Sequence, residues 1–136
     1  MNYHLVKTEP STYSWDRLEK EKKCCWDGVR SYPGRLNLRN MKAGDLVLIY
    51  HSGDDKAVMG IAKVLREAYP DPTAGDEDWS AVDFAPVAKL KKPVLLSAIK
   101  SEKKLKDIYL IRQGRLSVMP LKKEEFELIK SLGSKD

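Results

Sequence analysis

The chain has 136 residues, a length that usually forms one domain and at which a second domain would be cramped, so a single domain over residues 1–136 is expected. Hydrophobic residues make up 42% and charged residues 33%, and no window holds the ~20 apolar residues of a membrane span, which argues against a membrane protein. Lys and Arg outnumber Asp and Glu by 25 to 20, and the resulting net charge of +5 suits a polyanionic partner without requiring one.

In chain order, Tyr3 to Thr8 alternates as a half-buried strand does, and Pro10 ends it. Ser14 is a good N-cap for a short helix through about Lys22, with Asp16 in the first turn and Trp15 and Leu18 as its apolar edge. Trp26 to Tyr32 then reads as loop. The spacing of Leu36, Leu38 and Met41 predicts one or two helical turns from Arg35. Lys42 to Asp45 forms a turn into Leu46–Tyr50, an almost wholly apolar and therefore central strand. After the polar turn His51–Asp55, Val58 to Glu67 completes a hairpin, with Gly60 marking a bulge or a close approach. Ala68 to Asp78 is an acidic loop. Ala81 to Leu90 is a further strand, where Pro86 implies an edge or a bulge. Ser97 to Lys106 predicts a lysine-rich helix, Asp107 to Pro120 an irregular segment with strand character, and Lys122 to Leu132 an amphipathic helix capped by Gly133, its core face broken only by Glu125. Strands joined by long irregular connections, with helices at the start, middle and end, point to an α+β domain on a curved sheet or small barrel.

The start Met1-Asn2-Tyr3-His4-Leu5-Val6-Lys7 lacks the apolar stretch of a signal peptide, so a cytoplasmic location is expected, or a nuclear one in a eukaryote. Cys24 and Cys25 are adjacent and cannot bridge without strain, and their spacing from His4 and His51 matches no zinc motif. Both read as small packing residues. Neither a metal nor a cofactor is expected, and a monomer is favoured.

Three segments combine aromatic and polar residues where sites are usually built: Trp26 to Arg39, Tyr50-His51-Ser52, and Ile111 to Ser117. A nucleobase needs stacking surface, which Trp26, Tyr32 and Tyr50 can supply, and edge readers, for which Ser52 and Gln113 are suited. Arg30, Arg35, Arg39, Arg112 and Arg115 are candidate phosphate contacts, because a guanidinium fork fits planar anions. Each residue has a structural alternative: Tyr50 as core, Trp26 as a buried anchor, Arg112 and Arg115 as partners of carboxylates. The lysines at 89, 91, 92, 100, 103, 104 and 106 read as a solvated face.

Trp26-Asp-Gly-Val-Arg-Ser-Tyr32, Asn37-Leu-Arg39, Met41 to Ser52, Gly60-Ile-Ala62, Arg66 to Thr73 and Arg112 to Pro120 together resemble the EVE domain family, in order and over essentially the whole chain. The resemblance implies a PUA-like fold, a β pseudo-barrel flanked by short helices, related to RNA-binding PUA and methyl-base-reading YTH domains. It also implies a reader of modified bases such as 5-methylcytosine in DNA or RNA. Carried over by position, the base pocket comprises Trp26, Gly28, Val29, Arg30, Tyr32, Tyr50, His51 and Ser52, faced by Gln113, Arg115, Leu116 and Ser117. Arg35, Arg39 and Arg112 remain for phosphate. The chain departs from the family pattern at Ser31, Pro33, Gly34 and Leu36, where asparagine, glutamine, alanine and asparagine are usual.

The function expected is therefore a non-catalytic reader that takes a base out of its stack into an aromatic slot walled by Trp26 and Tyr32. One rival is an RNA-binding module without modification preference. The other is a small hydrolase of the ASCH type, for which Lys7-Thr8-Glu9 is a superficial match, since strand alternation puts Lys7 and Glu9 on one face.

Overall fold

The computed structural model describes residues 1–134. Six strands, β1 (Tyr3–Thr8), β2 (Cys24–Trp26), β3 (Leu46–His51), β4 (Ala57–Pro70), β5 (Ser80–Leu95) and β6 (Val118–Leu121), form one mixed sheet in the order β2-β5-β4-β3-β1-β6. Five helices accompany it: α1 (Trp15–Glu21), α2 (Tyr32–Arg39), α3 (Leu96–Ser101), α4 (Tyr109–Arg112) and α5 (Lys123–Ser134), with a 3-10 turn at Lys103–Leu105. The fold is α+β, as expected. The sheet ends on β2 and β6, which do not pair among the described residues, so the barrel is not closed.

The apolar run of β3 has its expected place inside the sheet, parallel to β1 on one side and antiparallel to β4 on the other. Alternate residues of β1 and β3 divide between two cores. Leu5, Leu48 and Tyr50 join Ile99, Leu110, Phe126 and Ile129 from α3, α4 and α5. Val6, Val47 and Ile49 join Trp15, Leu18 and Leu38 from α1 and α2. Helices therefore cover both faces of the sheet, which explains why its inner strands lack a polar side.

Gly60 meets both expectations placed on it. The pairing of β4 with β5 shifts register between Val58 and Gly60, and a Cβ at Gly60 would stand 2.6 Å from the Trp15 ring. Pro86 lies beyond the short stretch of β5, Val82 to Phe84, that β2 covers, next to a register shift at Ile61/Ala62. Ser14 caps α1, accepting from the Arg17 amide at 3.1 Å. Glu125 does not interrupt a core face, because its carboxylate turns back to accept from the Lys122 amide at 2.8 Å.

Four expectations are corrected. The segment read as loop from Trp26 begins as edge strand β2, held by β5 partners almost sixty residues away, and it ends inside α2. That helix starts at Tyr32 rather than Arg35 because Ser31 caps it, accepting from the Gly34 amide, with Pro33 in its first turn. The irregular stretch Asp107–Pro120 contains α4 as well as β6. Gly133 is not a cap: α5 runs on through Ser134, and a Cβ at Gly133 would stand 2.7 Å from Leu90 Cδ1, so glycine there permits helix α5 to pack on β5.

Candidate nucleic-acid interface

The end of β1, the connection into α1, strand β2 and the two loops 27–31 and 113–117 surround an open cavity of about 790 Å³. That is within the ~300–1,000 Å³ of small-molecule sites. Trp26 forms part of its wall although only 8% of the residue is exposed. The indole is wedged between Phe84, tilted by 51° with ring centroids 5.3 Å apart, and the edge of Tyr13 at 6.0 Å and 86°. Tyr13 also lines the cavity. Its hydroxyl donates to Glu21 Oε1 at 2.8 Å, and burial together with hydrogen bonds to Cys24 and Glu21 pushes its pKa far up, so it stays a phenol. Cys24 and Cys25 line the same wall, and burial pushes both thiols up, which favours their neutral form.

One carboxylate fixes the loop that follows Trp26. Asp71, its side chain fully buried, accepts from the Gly28 amide at 2.8 Å, Arg30 Nη1 at 2.9 Å, the Thr73 amide at 2.7 Å and Thr73 Oγ1 at 2.6 Å. Burial by itself would raise this carboxyl, but the bonds from Thr73, Gly28 and Arg30 outweigh it and hold it well below the usual carboxylate range. Gly28 sits at φ +79°, which suits glycine. Arg30 is thereby set along the cavity edge, with its second nitrogen on Thr73 Oγ1 at 2.9 Å.

Of the residues expected in the pocket, the cavity brings together Trp26, Gly28, Val29, Arg30, Arg115 and Ser117. The others lie elsewhere. Tyr50 is 3% exposed within the core under α3 and α5. His51 is buried and accepts from the Trp15 amide at Nε2, 2.9 Å, so Nδ1 carries the proton toward Asp55 at 3.0 Å. Ser52 donates to the Thr8 carbonyl through both its amide and its hydroxyl. His51 and Ser52 thus brace, from behind, the β1–α1 connection that lines the cavity. Gln113 ends α4, and its carbonyl accepts from the amide of Leu116, itself a core residue.

Tyr32 is 70% exposed and does not face Trp26 across the cavity. It stacks on Trp79, with centroids 5.6 Å apart and planes at 28°. The arginines expected on phosphate are engaged or distant. Arg35 and Arg39 both pair with Asp78, at 3.6 and 2.7 Å, and Arg39 also donates to Ser80. Arg112 ends α4 beside Tyr109 and Glu125, outside the cavity lining.

Sequence reasoning left Tyr13, Asp27 and Asp71 out of the site and weighed Lys7 only as a catalytic group. Lys7 Nζ, its pKa lowered by burial, donates to the Gly114 carbonyl at 2.6 Å and pins loop 113–117 to β1. Glu9, instead of pairing with Lys7, accepts from Ser11. The signal for Asp71 was the Asp71-Pro72-Thr73 turn, which supplies a carboxylate with two of its own donors. Among the described residues, Lys7, Lys23 and Arg115 at the cavity carry no ion pair, and neither do the carboxylates of Glu9 and Asp27, whereas Arg17 is matched by Glu21 and Arg30 by Asp71. The cavity is therefore a partly apolar slot with three cations that form no ion pair, of which Lys7 is held by a backbone carbonyl and Lys23 and Arg115 stand at the margin.

The family model for the EVE domain matches residues 2–132. Mouse thymocyte nuclear protein 1 is 34% identical over 96% of this chain and 73% of its own length. The crystal structure of protein Atu2648 from Agrobacterium tumefaciens superimposes with a TM-score of 0.95 at 38% identity, over 100% of this chain and 97% of that one. Human THYN1 protein, in a crystal structure with 5-methylcytosine-containing DNA, gives a TM-score of 0.93 at 31% identity, over 100% and 99%. With the match spanning both cores and every segment that lines the cavity, the chain belongs to the EVE domain family.

Proposed function

We propose that this protein is a non-catalytic reader that holds a methylated nucleobase, extruded from its strand, in the cavity beside Trp26. The carrying observation is that cavity: an indole and a phenol in its wall, donors and acceptors at its edge, and the unmatched Arg115 and Lys23 at its margin. Binding of the human relative to 5-methylcytosine-containing DNA supports the reading.

The chemistry is recognition by fit. Extrusion of a base costs a few kcal/mol, which contact with aromatic rings returns at ~1–3 kcal/mol per base. Asp27, in the cavity lining, offers an acceptor for an exocyclic amino group of the kind cytosine carries. Val29, Cys25 and Trp26 offer apolar surface to a methyl group, worth ~0.8 kcal/mol and hence a preference of about fourfold. Arg115 and Lys23 supply phosphate contacts that depend on salt. Against a hydrolase, Lys7 is committed to a backbone carbonyl and Glu9 to Ser11, so the two form no acid–base pair.

Titrating tryptophan fluorescence with matched single-stranded oligonucleotides, one carrying 5-methylcytosine and one cytosine, tests the reading. Saturable binding with a few-fold preference for the methylated strand is expected. Equal affinity removes the modified-base claim and leaves a general nucleic-acid module; no saturable binding removes both.

A further inference from the structure

We propose that the stacked pair Tyr32–Trp79 is a second nucleobase subsite, which receives the base next to the one held in the cavity. The inference rests on the reader function above.

Tyr32 is 70% exposed and Leu36, one turn further along α2, is 60% exposed. Packing on Trp79 alone does not require an aromatic ring to stay that open, and large apolar groups left in water mark contact surfaces. The pair is held ready. Its rings come from α2 and from the loop before β5, and the Arg35 guanidinium spans them, 4.9 Å from the centroid of Tyr32 and 5.3 Å from that of Trp79. Arg35 is itself fixed by donating to the Asp78 carbonyl at 2.9 Å.

The charges around the pair decide what it can take. Arg35 and Arg39 share Asp78, Arg30 is paired with Asp71, and Glu77 accepts from the Trp79 indole N–H at 2.6 Å, so three cations stand against three carboxylates and little charge is left over for a phosphate. A near-neutral aromatic platform backed by a guanidinium suits the face of a heterocycle. Its position decides which one. Ser31 lines the cavity and Tyr32 is the next residue, so the two places adjoin along the chain. Arg30 joins the two places, lining the cavity while standing 5.8 Å over the Trp79 ring. A strand that gives one base to the cavity passes its neighbour over Tyr32.

The test compares a mononucleotide, 5-methyl-deoxycytidine monophosphate, with a single-stranded pentanucleotide carrying that base at its centre. The pentanucleotide is expected to bind wild type more tightly. Tyr32→Ala should weaken it ~5- to 150-fold while changing the mononucleotide less than twofold and leaving the salt dependence of binding unaltered. Tyr32→Trp should retain the affinity and shows that a folded variant with a ring there suffices. Pentanucleotide affinity within twofold of wild type in Tyr32→Ala overturns the subsite, as does an equal loss on the mononucleotide or a shallower salt slope. Methylated and unmethylated pentanucleotides of equal affinity, both weakened by Tyr32→Ala, support the subsite and remove the methyl reading alone.

Discussion

Trp26 and Tyr32 are six residues apart and look interchangeable as stacking groups, yet the fold gives them opposite surroundings. Trp26 ends an edge strand and is wedged between Phe84 and Tyr13 with 8% of its surface open. Tyr32 opens a helix and lies on Trp79 with 70% open. The pocket side of the first is built by the core, so its chemistry and the stability of the domain are tied together. The second belongs to neither core, and its ring contacts are Trp79 and Arg35. A similar split runs through the cations: Arg115 at the cavity has no ion pair among the described residues, while Arg35 and Arg39 beside Tyr32 are both matched by Asp78.

The sharpest way to break this contrast is at the indole. Trp26→Ala removes a large side chain from one of the two cores and should cost about 3–5 kcal/mol, read as a lowered urea midpoint; a loss below about 1 kcal/mol would mean that the ring is not structural. Asp71→Ala is expected to cost somewhat less, about 2–3 kcal/mol. It frees the Gly28 amide and leaves Arg30, whose side chain is 37% exposed, partly solvated rather than stranded.

The same carboxylate predicts a pH dependence. Its folded pKa is depressed, so its contribution is complete above the ordinary unfolded value of ~3.9 and is lost as pH falls below it toward the folded one. Wild type should therefore lose stability on going from pH 5 to pH 2, and Asp71→Asn should flatten that part of the curve. An unchanged acid limb in the variant would show that other carboxylates dominate it.

Smaller effects separate the two sets of cations. Arg115→Ala should weaken oligonucleotide binding a few-fold and reduce the slope of log affinity on log salt by about one, whereas Arg39→Ala should leave the slope alone, because Arg39 is held by Asp78 and Ser80 within a cluster that Asp78 and Glu77 make near-neutral. Equal slopes for the two variants would erase the distinction. The smallest change is expected for the stability of Tyr32→Ala, about 0.5–1 kcal/mol by urea unfolding, because the ring is mostly exposed and loses only its contacts with Trp79 and Arg35.

Much of the fold was legible because its signals are local. β1 and α1, the hairpin β3–β4 and helix α5 announce themselves by alternation, a serine cap, an apolar run and an amphipathic period, each confined to neighbours along the chain. Gly60 was legible as a bulge or a close approach, although only the packed molecule names the Trp15 ring as what approaches. Of the residues expected to bind a base, Trp26, Gly28, Val29, Arg30, Arg115 and Ser117 line one cavity. Tyr50 and His51 misled for a physical reason: an aromatic or imidazole at a strand end looks alike whether its ring meets a ligand or, as here, the core and the Trp15 amide.

The sequence by itself determined the family, the α+β class and the presence of an aromatic, arginine-bearing segment, since these reside in residue order and short-range periodicity. Only the tertiary structure decided which aromatic lines the cavity and which stands outside it, which arginines are already matched, and that Asp71 organises the Gly28–Arg30 loop. Those outcomes depend on contacts between groups some forty or more residues apart, such as Arg30 with Asp71 and Tyr32 with Trp79, and no local pattern encodes a distance that long-range packing alone closes.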